Sequence, residues 1–348
     1  MPKTKGHIRT LLIEDSAFMR ILLSDYLKSD ESINFLGSAS NGKDGVDKVK
    51  ELNPDVVITD MVMPEFDGLY AIENIMKECP TPIIVLSSLD KTDSKIFDAL
   101  NAGALEFIDK PKSDVKGAFS GGGYKLLDLI KSIAVAKDHI SLTQQRFNEV
   151  NHSHTFSSHL AYDLVVIGAS TGGPGATESV IKRLPGNFAI PVVIAQHMPE
   201  RFIVSYAERL NKLTPLDVKI PTNGEPLTPG IIYIVPGHSN TRIVKKGGRA
   251  VFAYTDERFK EFNFPSVDCL FLSAAEVFEK KVIGVIMSGM GKDGALGMQK
   301  IKELGGRTIA QDEESSVVFG MAKYADDEGA VQQIVKLRDI PGYIVSCL

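Results

Sequence analysis

Cysteine is scarce: Cys79, Cys269 and Cys347 are the only three in 348 residues. They are odd in number, far apart and without metal-ligand spacing, which argues against a disulfide framework and suits a reducing compartment. Long apolar runs are missing as well, since no stretch approaches the roughly 18 residues of a membrane span. The N-terminal MPKTKGHIRTLLIEDS carries positive charge but neither the apolar core nor the cleavage site of a secretory signal. Nor is positive charge in surplus: 39 Lys and Arg stand against 44 Asp and Glu, a net charge of −5. No electrostatic footprint for nucleic acid follows from that balance. The expectation is a cytoplasmic protein with no nucleic-acid partner and no membrane insertion.

What is present is an ordinary globular composition, 43% hydrophobic and 24% charged. The length exceeds one typical core, so two domains are expected. In the first third, strand-like runs at Ile8–Ile13, Ile33–Gly37, Asp55–Thr59, Pro82–Leu86 and Leu105–Ile108 alternate with helical patterns at 16–28, 43–52, 68–78 and 92–102. Another helical pattern follows Tyr124. Such a βα repeat predicts a parallel sheet covered on both faces. From about Lys137 to Tyr162 the pattern fades into a polar stretch that reads as a linker. Its His139, His152, His154 and His159 lack the Cys or carboxylate frame of a metal site, so a solvated linker is the simpler reading. Strand-like runs resume at Leu164–Ile167, Val192–Ala195, Ile231–Val235, Val282–Met287 and Thr308–Ala310, predicting a second α/β domain. The expected organisation is residues 1–125, a helix end and linker over 126–160, and a second domain over 161–348.

In the first domain Glu14 and Asp15 follow the first strand, Asp60 the third and Lys110 the fifth. In a doubly wound sheet all of these lie at the carboxyl edge, where such folds keep their sites. Three carboxylates without a cation would raise one another's pKa, and a hard divalent ion such as Mg²⁺ resolves this. Lys110 adds a positive charge for a phosphoryl group and Ser87, ending the fourth strand, a hydroxyl donor. The bland alternative is that the acidic pair and Ser16 merely cap the next helix. The segments LLIEDSAFMR, VVITDMVMPEFDG, PIIVLSS and FIDKP, in this order, resemble the response-regulator receiver family. The resemblance implies that Asp60 accepts a phosphoryl group, that Glu14 and Asp15 hold Mg²⁺ with it, and that Ser87 and Phe107 form a switch pair beside Lys110. Glu14 stands where Asp is commoner, keeping the charge on a longer arm.

In the second domain DLVVIGASTGGPGA runs from a strand through a Gly-rich turn into a helical stretch. As a dinucleotide cradle it is degraded, because Ser170 occupies the place of the second glycine. As G-x-S-x-G, Gly168, Ser170 and Gly172 put a hydroxyl on a strand-to-helix turn with backbone donors nearby. A base and an orienting acid are then needed. His197 lies just past the next strand and Asp293 shortly past a later one. On spacing alone His197 remains equally a loop histidine, and Asp293 equally a cap for a helix starting near Gly294.

GASTGG, AQHMPERF, YAERLNKL, SGMGKDGALGM and AQDEESSVVFGM together resemble the catalytic domain of the chemotaxis protein-glutamate methylesterases. The resemblance implies Ser170 as nucleophile, His197 as base and Asp293 as the acid, with Thr171, Gly172 and Met290 lining the site around the oxyanion. It also implies two doubly wound, largely parallel α/β domains, a flavodoxin-like receiver before a Rossmann-like three-layer αβα hydrolase. The activity implied is phosphorylation-controlled demethylation of glutamyl esters, with deamidation of selected glutamines. Methyl-accepting chemotaxis receptors are the implied substrates and a histidine kinase the phosphodonor. Mg²⁺ is expected in the receiver, no cofactor in the catalytic domain, and a monomer. The competing reading is a receiver fused to a non-catalytic nucleotide-binding sensory module. PGHSNTRI and EFNFPSVD depart from the usual wording around the substrate groove.

Overall fold

A computed structural model describes residues 7–87, 93–110, 126–134, 161–259 and 264–348. The chain divides into two compact units, Met1–Gln145 and Arg146–Leu348. The linker histidines, Lys260 and residues 261–263 of the groove segment lie outside the described residues.

The first unit is a five-stranded sheet of β1 (Ile8–Ile13), β2 (Ile33–Ala39), β3 (Val56–Asp60), β4 (Ile83–Ser87) and β5 (Glu106–Asp109) in the order β2-β1-β3-β4-β5. Every pairing is parallel. All residues of β3 and β4 are buried, so both sheet faces are covered, as their unbroken apolar runs require. The order is that of flavodoxin-like folds, and the winding reverses between β1 and β3.

A helix over Leu126–Ala134 packs on β3 with Leu126, Leu129, Ile130 and Ile133 all fully buried. Its Lys131 reaches Asp30 at 2.6 Å. We therefore expect Ile130→Ala to destabilise this unit by about 2–5 kcal/mol. Calorimetry of the full chain checks this, and a loss below about 1 kcal/mol would show the helix undocked in solution.

The second unit centres on seven parallel strands in the order β14-β13-β12-β6-β7-β9-β8. They are β6 (Leu164–Ala169), β7 (Val192–Gln196), β8 (Asp217–Lys219), β9 (Ile231–Ile234), β12 (Val282–Ile286), β13 (Arg307–Gln311) and β14 (Gln333–Val335). The chain starts at β6, works outward through β7, then returns to the other side at β12. The reversal therefore falls between β6 and β12, where open α/β sheets place their sites. β6, β7 and β12 are buried throughout. The strand-like runs read from the sequence appear within two residues of their expected ends in both units. An antiparallel hairpin, β10 (Asn240–Lys246) with β11 (Arg249–Thr255), was not anticipated.

Candidate active site

In the first unit Glu14 and Asp15 follow β1, and Asp60 ends β3. One carboxylate oxygen from each lies within 4.8 Å of the others. Ser16 caps the following helix, accepting from the Met19 N–H at 3.3 Å, while Glu14 Oε1 accepts from the Ser16 N–H at 3.0 Å. Capping and carboxylate clustering therefore coexist. The Lys110 ammonium donates to Glu14 Oε1 at 2.9 Å and to Asp60 Oδ2 at 2.5 Å. Burial raises the Glu14 carboxyl, reinforced by Asp60 and opposed by Lys110. For Lys110 burial acts downward, but bonds to Asp60 and Glu14 outweigh it and hold the ammonium above its ordinary value. Ser87 is buried at the end of β4, and Phe107 is buried on β5 opposite Val85.

The second unit brings Ser170, His197 and Asp293 together from three neighbouring strand ends. Ser170 leaves β6, His197 leaves β7, and Asp293 lies in the loop beyond β12. His197 Nδ1 is 3.2 Å from Ser170 Oγ, and Nε2 is 2.8 Å from Asp293 Oδ2. A carboxylate can only accept, so the imidazole proton sits on Nε2 and the Nδ1 lone pair faces the hydroxyl. The three residues are 1%, 8% and 2% exposed, so their interactions are little weakened by solvent.

Asp293 is held by more than the imidazole. Oδ2 also accepts from the Val267 N–H at 2.7 Å, and Oδ1 accepts from the Asp268 N–H at 2.9 Å and the Ser266 hydroxyl at 3.0 Å. Those donors open the helix Val267–Phe278, whose N-terminus favours negative charge. Burial pushes this carboxyl up, but His197 and the two backbone N–H groups outweigh it and hold it below its ordinary value. The capping alternative is thus met in another form: the helix after Gly294 has no side-chain cap, and Asp293 sits on a helix that begins 26 residues earlier.

The turn at Ser170 is fixed on both sides. The Ser170 N–H donates to Ser288 O at 3.0 Å, and Ser288 Oγ donates to Thr171 O at 2.7 Å. Gly172 has φ +71, and a Cβ there would meet Val317 at 2.5 Å, so only glycine suits this point. Thr171 Oγ1 is buried with no hydrogen-bond partner among the described residues, and Met290 is half-buried beyond Gly289.

Residues 165–344 match the family model described as CheB methylesterase, and residues 10–117 match the response regulator receiver domain. The chain belongs to the protein-glutamate methylesterase family. This methylesterase is 40% identical over 347 residues to a protein-glutamate methylesterase/protein-glutamine glutaminase of Carboxydothermus hydrogenoformans, covering 97% of this chain and 98% of that one. A Thermotoga maritima protein of the same description is 38% identical over 340 residues, with 97% and 98% covered. The crystal structure of the Thermotoga maritima CheB methylesterase catalytic domain is 39% identical, with a TM-score of 0.52 over 54% of this chain and all of that one. The methylesterase is therefore a hydrolase coupled to a receiver, and the nucleotide-binding alternative falls away.

Sequence reasoning did not find Ser266, Ser288 or the helix N-terminus beneath Asp293. FPSVDCLFL does carry an N-cap signal, a serine before an apolar helical run with an acid in its first turn. Nothing local says that this terminus faces Asp293. Among the described residues, no helix is long and apolar enough to cross a membrane.

Proposed function

We propose that Ser170, His197 and Asp293 carry out the ester hydrolysis and that phosphorylation of Asp60 controls it. The carrying observation is the unbroken chain from Ser170 Oγ through both imidazole nitrogens to Asp293. Ser170 Oγ attacks the carbonyl carbon of a glutamyl 5-methyl ester as His197 Nδ1 takes its proton. The imidazolium formed is stabilised through Nε2–H by the Asp293 carboxylate. Collapse of the tetrahedral intermediate expels methanol, which receives the Nδ1 proton. Water then attacks the acyl-serine with His197 again as base, freeing glutamate and Ser170. With a glutamine substrate the leaving group is ammonia. Thr171 Oγ1 and the backbone N–H groups of the Thr171–Gly172 turn serve the oxyanion, with Met290 on its border. The substrates are methyl-accepting chemotaxis receptors, reached from the cytoplasm by a monomer.

In the receiver, Glu14, Asp15 and Asp60 are an all-oxygen donor set suited to Mg²⁺. When bound, the ion neutralises charge during phosphoryl transfer from a histidine kinase to Asp60. Lys110 and Ser87 then meet the new phosphoryl oxygens, and Phe107 repacks with Ser87. We assign the receiver to about residues 1–125 and the methylesterase to about 161–348, with the connection between them.

Methanol release from methylated receptor membranes tests this directly. The full chain is expected to release methanol, and faster with a small-molecule phosphodonor and Mg²⁺. Asp60→Asn is expected to keep the basal rate and lose the acceleration. Equal acceleration in both proteins would sink the role of Asp60, and no methanol from the native chain would sink the substrate assignment.

A further inference from the structure

Beyond Ala169 and Gln196, the last register pair between β6 and β7, the two chains leave the sheet carrying Ser170 and His197. One further backbone bond joins them, from the His197 N–H to Ala169 O at 2.9 Å. Past it the Ser170 carbonyl turns to the Gly173 N–H, which donates to it at 2.7 Å. The side-chain amide of Gln196 links this carbonyl to that of His197, with Nε2 donating to Ser170 O at 3.0 Å and to His197 O at 3.2 Å. A single buried group thus holds the main chain of both reacting residues.

We propose that Gln196 is a positioning residue that sets the spacing of nucleophile and base by gripping their two main-chain carbonyls. The proposal rests on the reading of Ser170 and His197 given above. Only an amide of this length suits the place. It presents two N–H bonds without a buried charge, whereas asparagine is one methylene short and glutamate sets oxygen against two oxygens. The opposite amide orientation would also set Oε1 against both carbonyls, so the partners fix the orientation. That orientation is costly, because Oε1 is buried without a hydrogen-bond partner among the described residues. A fold that needed only filled space here would use an apolar side chain and avoid the orphaned oxygen.

Room for the amide comes from Gly173. A Cβ at that position would stand 2.4 Å from Gln196 Oε1, 2.8 Å from Nε2 and 2.9 Å from Ala169 Cβ. Gly173 opens the helix Gly173–Ile181, where alanine is otherwise the better helix former. Glycine at this point therefore serves the amide, the nearest group a methyl would meet, before the Ala169 contact. Ser288 offers a contrast, since it pins the nucleophile turn from the β12 side and does not reach the main chain of His197 through any bond described above.

The test uses the full chain, methylated receptor membranes and separate measurement of kcat and KM. Gln196→Met is expected to lower kcat by about 10²-fold through loss of alignment, with KM unchanged. Gly173→Ala should give the same split, and it carries the test if the methionine variant fails to fold. In a Gln196→Ala background the amide clash is gone and only the Ala169 contact remains, so Gly173→Ala should cost much less in kcat than it does alone. Native kcat in either single variant, or losses that multiply in the double variant, would overturn the positioning role. Ser170→Ala runs alongside as control: if it stays active the nucleophile assignment fails and this proposal with it, whereas an inactive Ser170→Ala beside a native-like Gln196→Met removes only Gln196.

Discussion

Ser170→Ala is expected to reduce methanol release by about 10⁶-fold, the scale of losing the nucleophile in other serine hydrolases. The substitution is a clean one here. The turn is held through the Ser170 backbone, by Ser288 O on one side and the Gln196 amide on the other, and the hydroxyl's one described partner is His197. Alanine removes the reacting oxygen and leaves those anchors in place, so folding should be preserved. A residual rate about 10³–10⁴ above that in water is expected from substrate binding and the oxyanion donors. Radiolabelled methanol from receptor membranes measures both figures. A variant within tenfold of the native rate would remove Ser170 from the chemistry.

Asp293→Ala is expected to lower kcat by about 10⁴-fold, because it strips the imidazole of the group that fixes its proton. It also orphans the Val267 and Asp268 N–H groups and the Ser266 hydroxyl, at a stability cost of about 2–5 kcal/mol. Asp293→Asn should behave differently. Of the four donors around the carboxylate only the Ser266 hydroxyl can turn and accept without a change of imidazole tautomer, so the amide NH₂ is drawn to that side. The amide oxygen then still faces His197 Nε2–H and keeps the productive tautomer. What disappears is the charge beneath the imidazolium, which at about 1.5–3 kcal/mol corresponds to roughly a 10–150-fold loss. Steady-state rates of the two variants test this ordering. An asparagine variant as impaired as the alanine one would show that the tautomer was lost after all.

The parts of the molecule legible in the sequence are those whose signal is local. The buried strands announce themselves as unbroken apolar runs, and Ser170, His197 and Asp293 each follow one of them closely enough to be placed at a common sheet edge. β8 and β14 have three residues each, most of them exposed, and no pattern of that length stands out from a loop. The hairpin was readable, since Gly247 and Gly248 with φ of +58 and +78 supply the turn that joins two alternating runs. A pattern of buried parallel strands has no place for it. The support beneath Asp293 and the grip of Gln196 were not legible at all. Each depends on which groups the folded chain brings face to face from distant segments.

The position of β12 across β6 from β7 has a consequence in time. His197 follows Ser170 by 27 residues, but Asp293 follows His197 by 96. At about 5–20 residues per second, a ribosome delivers Asp293 some 5–20 s after His197. By then every strand of the receiver sheet, which ends at Asp109, has long been made. Each newly synthesised copy therefore holds its signal-receiving half before it holds a working esterase, and no growing chain exposes the activity ahead of its control.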